Sequence, residues 1–326
     1  MKKILLVALA AAGMVSCSQN EEIENAGQKA EIRFGTAVST TTRAAVTDLT
    51  ELKKADVGFT VYAYNSGSSE MNAVTAGTDM KAFMTGAKAT FASTDWNLTG
   101  GPYYWPLTDK IQFFAYGNPG TATLAYSAPD ASNKFPSITY TVADVAAQTD
   151  FVVASALDAN KTDDASGVSL AFTHALTQIN FTIKTADALT YKLKSLSISG
   201  VYSKGTYDFG TSKWTAQAEP ATYAHTIDAS GLEVLQAGKE INAAWMLMPQ
   251  TLPTTGAAIN LTYDIYNKDV QIGDVTSSID LKETTAWEPG KKIRYTLTLA
   301  NGGAKVTFVV PELGAWNTTD DTNVEK

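Results

Sequence analysis

The sequence predicts an all-β protein built from antiparallel β-sandwiches, with more strands than one sheet pair can use. Three observations carry that expectation. Apolar residues recur at every second position through a long series of short runs, the pattern of strands with one face on a core and the other in water. Gly, Pro, Asn and Asp separate the runs, as turns between strands require. Amphipathic patterns of period 3.6 are scarce, while Thr, Val, Ile and Tyr, which suit pleated and half-buried surfaces, recur throughout.

The chain opens with Lys2 and Lys3, followed by a twelve-residue apolar run from Ile4 to Val15. That run is too short for a hydrocarbon core of about 30 Å and has the make-up of a secretory signal. It ends in Met14-Val15-Ser16-Cys17, which is similar to a bacterial lipobox. Cys17 is the only cysteine, so no disulfide within the chain can form, and its position suits lipidation once residues 1–16 are removed. Several acyl chains on one residue give lasting membrane attachment. Residues 17–30 form a polar, acidic tether, Ser18-Gln-Asn-Glu-Glu-Ile-Glu-Asn25 at its start. It is similar to the export signals that send Bacteroidetes lipoproteins to the outer face of the outer membrane.

The first strand is expected at Glu31–Val38, with Ile32, Phe34 and Val38 on one face and Glu31 and Arg33 on the other. Thr40-Thr-Thr-Arg43-Ala44-Ala-Val46 follows, a run of small residues around one of only three arginines. Arg33 and Arg294 fall inside expected strands, so Arg43 alone offers a guanidinium in an open loop, where nicking concentrates. Further strands are expected around Val57/Phe59/Val61/Ala63, Ile179/Phe181/Ile183, Ile259/Leu261/Tyr263/Ile265 and Ile293/Tyr295/Leu297/Leu299. Val306/Phe308/Val310 repeats the pattern near the end. Short helical turns are expected at Ala143–Ala147 and His174–Gln178. A polar and mobile surface loop is expected from Gly67 to Asp79, and a seam between two domains at 175/176, giving units 31–175 and 176–326.

Chemistry is sparse. His174 and His225 are too far apart in sequence for a metal motif, and no nucleophile elbow, phosphate loop or calcium loop occurs. No catalytic residue, metal site or cofactor is expected, and His174, among apolar neighbours, reads as a core or turn residue. A formal charge of −8 without a basic cluster argues against nucleic acid. Tyr103-Tyr104-Trp105-Pro106 reads either as a stacking platform for a sugar or as alternating core and rim aromatics.

Ordered tags along the chain resemble the fimbrillin family of Bacteroidetes, the Mfa-like subunits of type V pili. They are the lipobox and acidic tether, Glu31-Ile-Arg-Phe34, Thr42-Arg43-Ala44, Tyr103-Tyr-Trp-Pro106, Phe113-Phe-Ala-Tyr116 and Asp150-Phe-Val-Val-Ala154. Leu170 to Phe181, Gly205-Thr-Tyr-Asp208, Met248-Pro-Gln250 and Trp287-Glu-Pro-Gly-Lys291 continue the series. The resemblance implies two tandem transthyretin-like sandwiches in a non-enzymatic lipoprotein of the outer membrane surface and the fimbrium, serving adhesion. It also implies cleavage between Arg43 and Ala44 by an arginine-specific protease, loss of the strand carrying Ile32, Phe34 and Val38, and refilling of the groove by a strand of a neighbouring subunit. The partners so implied are other fimbrial subunits, in a homo- or heteropolymer, and a ligand on a host or bacterial surface. Val306, Phe308 and Val310 have the i, i+2, i+4 spacing of a donor strand, and equally that of the last strand of their own sandwich. The alternative function is a surface glycan-binding lipoprotein using Tyr103, Tyr104 or Trp105.

Overall fold

The computed structural model describes residues 30–35, 52–54, 57–117, 119–161, 167–252, 256–281, 286–300, 302, 305–309 and 313–315. The first half contributes β1 (Phe34–Gly35), β2 (Phe59–Asn65), β3 (Lys81–Ala92), β4 (Asp95–Leu98) and β5 (Ile111–Gly117). It continues with β6 (Thr123–Ser127), β7 (Ser137–Thr141), β8 (Val152–Ala159), β9 (Val168–Ser169) and β10 (Thr173–His174). The second half begins with β11 (Thr177–Thr185), β12 (Thr190–Asp208), β13 (Lys213–His225), β14 (Leu232–Val234) and β15 (Lys239–Leu247). It ends with β16 (Ala258–Asn267), β17 (Val270–Asp280), β18 (Lys291–Ala300), β19 (Lys305–Val309) and β20 (Leu313–Ala315). The fold is all-β and sandwich-like, and the helix among the described residues is two 3₁₀ turns, Gly77–Asp79 and Val145–Ala147.

A six-stranded sheet in the order β10-β8-β5-β2-β3-β4 is buried on two faces. On one, Phe59, Val61, Ala63, Phe113 and Ala115 share a core with Ile32, Phe34, Trp105, Leu170 and Phe172. On the other, Tyr64, Phe114, Tyr116, Phe151 and Val153 join a second core that runs on into the strands after residue 176. Burial on both faces leaves every residue of β5 buried, which is why Phe113-Phe114-Ala115-Tyr116 reads as a continuous apolar run instead of alternating.

The second core lies between two further sheets. One has the order β15-β11-β18-β19, with β20 also on β18, and the other runs β17-β16-β12-β7-β6, with β13 and β14 also on β12. The expected alternation holds here: Ile179, Phe181, Ile183, Ile259, Leu261, Tyr263, Ile293, Tyr295, Leu297 and Leu299 are all buried. Two pairs depart from the antiparallel expectation, since β11 runs parallel to β18 and β1 parallel to β9.

The β6–β7 hairpin precedes the expected boundary at 175/176, yet its hydrogen bonds go to β12, with Ile138 opposite Tyr207. The hairpin lies against the six-stranded sheet, Tyr126 stacking on Tyr62 at 3.5 Å and sharing a 3.0 Å hydrogen bond with Tyr64.

Two local expectations fail. His174–Gln178 forms no helical turn: it passes from β10 into β11 through Ala175 and Leu176, both buried, and core burial overrides local propensity. The Gly67–Asp79 segment, expected to be mobile, is pinned. Met71 and Val74 are buried. The Met71 amide donates to Asp158 at 2.7 Å, and the Lys134 ammonium donates to the carbonyls of Met71 and Val74 at 3.2 and 3.1 Å.

Candidate functional site

The first strand sits in a groove of the smaller core, held by a ladder that changes partner midway. The Ala30 carbonyl accepts from the Trp105 amide at 2.9 Å, and the Ile32 amide donates to the Tyr103 carbonyl at 2.8 Å. Glu31 and Tyr104 form an antiparallel bridge. From Arg33 on, the bonds go to β9: Val168 donates to the Arg33 carbonyl at 2.7 Å and Leu170 to the Gly35 carbonyl at 3.2 Å. Gly167, at φ +73°, admits this approach, because a Cβ there would lie 2.8 Å from the Gly35 nitrogen and 3.0 Å from the Arg33 oxygen.

Alternation decides what this strand buries. Ile32 and Phe34 are 2% and 7% exposed. Phe34 stands edge-on to Phe59 and Phe113, with centroids 5.7 and 5.5 Å away. Glu31 and Arg33 face outward as an ion pair at 3.9 Å, a separation and exposure that contribute little. Burial of the two apolar side chains is worth roughly 3–6 kcal/mol, and each edge-on ring pair adds about 0.5–1.5 kcal/mol. Their sum is comparable with the net stability of a whole domain. The receiving edge was not among the expected site residues. Its signal is nevertheless in the sequence, since Val168, Leu170 and Phe172 alternate at period two and are all buried.

Cys17, Val38, Arg43, Ala44 and Val310 lie outside the described residues. The other two arginines have engaged backbones: the Arg33 carbonyl is bonded to Val168. Arg294 lies within β18, opposite Asn180 of β11, and its guanidinium meets Glu240 at 2.7 Å. Val306 and Phe308 belong to β19, which lies antiparallel on β18 with Leu299 opposite Val306 and Leu297 opposite Phe308. Val306 packs in part against the second core.

The three neighbouring aromatics do not form a common platform. Trp105 is 6% exposed and stands edge-on to Phe113 at 6.0 Å, inside the core beneath the first strand. Tyr103 is half-buried against Phe83, and Tyr104 is 40% exposed. Successive side chains thus go opposite ways, Trp105 inward and Tyr104 outward, so an exposed stack of all three is ruled out.

His174 is a core residue, as expected, but it is held by a side chain: its Nδ1 lies 2.7 Å from Asp150 Oδ2. Burial pushes the His225 imidazole below its ordinary value. Among the described residues no group of three His, Cys, Asp or Glu side chains could hold a metal.

Comparison with known proteins gives this arrangement its context. The chain is 27% identical to the fimbrium subunit Fim1C of Phocaeicola vulgatus over 99% of each sequence. Its fold is similar to the crystal structure of a fimbrial protein from Bacteroides vulgatus, with a TM-score of 0.63 at 20% identity, covering 88% of this chain and 99% of that one. A candidate cell adhesion protein from Bacteroides uniformis superposes with a TM-score of 0.51 at 18% identity, over 88% of this chain and 98% of that one. The profile of the fimbrillin-like family matches residues 42–316, from the residue before Arg43 to Trp316. The chain belongs to the fimbrillin-like family.

Proposed function

We propose that this fimbrillin-like chain is a non-enzymatic subunit of a surface fimbrium, exported as a lipoprotein anchored through Cys17 in the outer membrane and serving adhesion. In this reading residues 31–175 and 176–326 are its two functional units, and cleavage between Arg43 and Ala44 releases the first strand. Loss of that strand uncovers the Val168–Leu170 edge and the apolar hole beneath it, and a strand from another subunit closes both. Paired backbone donors and acceptors supply affinity in such strand addition, and side-chain pockets supply specificity.

The observation that carries the reading is the seating of Ile32 and Phe34 in the smaller core, on a segment joined to its surroundings by few backbone bonds. Val306, Phe308 and Val310 are the donor candidate, and donation requires β19 to leave β18. The glycan-binding alternative has one exposed aromatic in its favour, Tyr104, and ranks second for that reason.

Arginine-specific digestion of the folded precursor tests the scheme. A single early cut after Arg43, followed by ladders of oligomers, is expected. Cut protein that stays monomeric at high concentration would refute strand exchange while leaving family membership intact.

A further inference from the structure

We infer that Tyr62 and Tyr126 form an oxidative modification site, at which hydrogen peroxide acting through a haem peroxidase links the two rings as dityrosine. The inference does not rest on cleavage at Arg43 or on strand donation.

Four phenols meet where the β6–β7 hairpin lies on the six-stranded sheet: Tyr62 and Tyr64 of β2, Tyr116 of β5 and Tyr126 of β6. Tyr126 covers Tyr62 face to face, with centroids 3.5 Å apart and planes 7° apart. Aromatic pairs left to themselves prefer offset or edge-on contacts at about 4.5–7 Å, so this stack is imposed by its surroundings. On one side the Tyr126 hydroxyl shares a 3.0 Å hydrogen bond with that of Tyr64. On the other the Tyr62 hydroxyl lies against Gly86, where a Cβ would come within 3.0 Å of it. The Tyr62 ring also stacks on Tyr116, with centroids 6.4 Å apart. Phenylalanine at 62 and 126 would pack as well; the hydroxyls make the pair oxidisable.

Loss of one electron and one proton from a phenol leaves a phenoxyl radical, whose unpaired spin is shared with its two Cε carbons. Rings this close and this parallel bring a Cε of each into van der Waals contact, whatever their rotation about the stacking axis. Two such radicals pair their electrons in a Cε–Cε bond. Each joined carbon then releases its hydrogen as a proton and each oxygen takes one up, which restores both rings and both hydroxyls. The net change is the loss of two hydrogen atoms, which one molecule of hydrogen peroxide accepts as it becomes two of water. Both rings are half-buried, which favours coupling within the chain over coupling between chains.

The bond would join two sheets. β6 and β7 pair with each other, and β7 pairs with β12, whereas Tyr62 belongs to β2, an inner strand of the six-stranded sheet. A covalent tie between them closes a long loop and so restricts the unfolded chain.

Treatment of the full chain with a haem peroxidase and hydrogen peroxide tests the site. Dityrosine fluorescence should appear in the monomer, and peptide mapping should join the Tyr62 and Tyr126 peptides with the loss of two hydrogens. Tyr62→Phe and Tyr126→Phe should each lower the yield more than tenfold, while Tyr104→Phe, at an exposed tyrosine, should leave it unchanged. Circular dichroism checks that each variant is folded. The linked monomer should unfold at a higher urea concentration than the untreated chain. Dityrosine found only between chains, a link mapped to other tyrosines, a yield indifferent to Tyr62→Phe, or no dityrosine under conditions that couple free tyrosine would each overturn the proposal.

Discussion

Phe34 meets Phe113 edge-on, with ring centroids 5.5 Å apart and planes at 88°, so the two-residue strand β1 is anchored to the middle of the six-stranded sheet. β5, which carries Phe113, is the third strand from one edge and the fourth from the other. Few backbone bonds hold the first strand, and its attachment therefore depends mainly on what Ile32 and Phe34 bury.

Phe34→Ala should destabilise the chain by about 3–5 kcal/mol, the usual cost of a large-to-small change at a packed aromatic. Arg33→Ala, on the exposed face of the same strand, should change stability by about 0.5 kcal/mol or less. Urea denaturation of the two variants makes the comparison, and equal effects would refute an apolar anchor.

Arginine-specific proteolysis of the folded chain should begin after Arg43 and spare Arg33 and Arg294. The backbone of Arg33 is bonded to β9, and Arg294 lies in a strand paired with β11. Sequencing of the first large fragment should therefore start at Ala44, and Arg43→Ala should delay cleavage by more than tenfold. Early fragments starting at Phe34 or Tyr295 would contradict the geometry.

Gln112→Leu should cost about 1–3 kcal/mol and loosen the Gly67–Asp79 segment. The Gln112 side chain is fully buried, donating to Ser66 at 3.0 Å and Asp158 at 2.9 Å and accepting from the Asp158 amide at 2.8 Å. Leucine leaves the Asp158 amide without its acceptor and removes one hydrogen bond each from Ser66 and the Asp158 carboxylate in a low-dielectric site. Hydrogen exchange should speed up at Met71, whose amide depends on Asp158.

Stability should fall as pH rises from about 10 to about 12. Burial pushes the Tyr295 hydroxyl up from 10.0 to about 12, only partly offset by the hydrogen bond from the Trp287 indole at 3.1 Å. In that window the folded chain keeps a proton that the unfolded chain loses, so each pH unit removes about 1.4 kcal/mol from this group. The contribution is intact below pH 10 and gone above about 12. Burial also pushes Tyr140 and Tyr223 up, which steepens the decline. Urea midpoints across this range should be less pH-dependent in Tyr295→Phe, and an unchanged slope would refute the assignment.

Strands with one wet face were legible in the sequence because period-two alternation is a local signal. Ile32 and Phe34 against Glu31 and Arg33, or Ile259 through Ile265, can be read a few residues at a time. Contacts between distant segments leave no such trace. Nothing near Ile138 announces Tyr207 as its partner, and nothing in the polar Gly67–Asp79 segment announces Lys134 or Asp158. Trp105 was ambiguous because successive side chains in a run of aromatics can point either way, and only the position of the neighbouring core decides. The His174–Gln178 segment reads as a short turn until the packing that covers Ala175 and Leu176 is known.

The parallel pairing of β11 with β18 has a consequence for the order of folding. Ile179 lies opposite Ile293, so the central strands of the larger core cannot zip together until the chain has been made through β18, more than a hundred residues after β11. The loop-closure entropy of that long-range pairing is repaid by burial of Phe181, Trp245 and Tyr295.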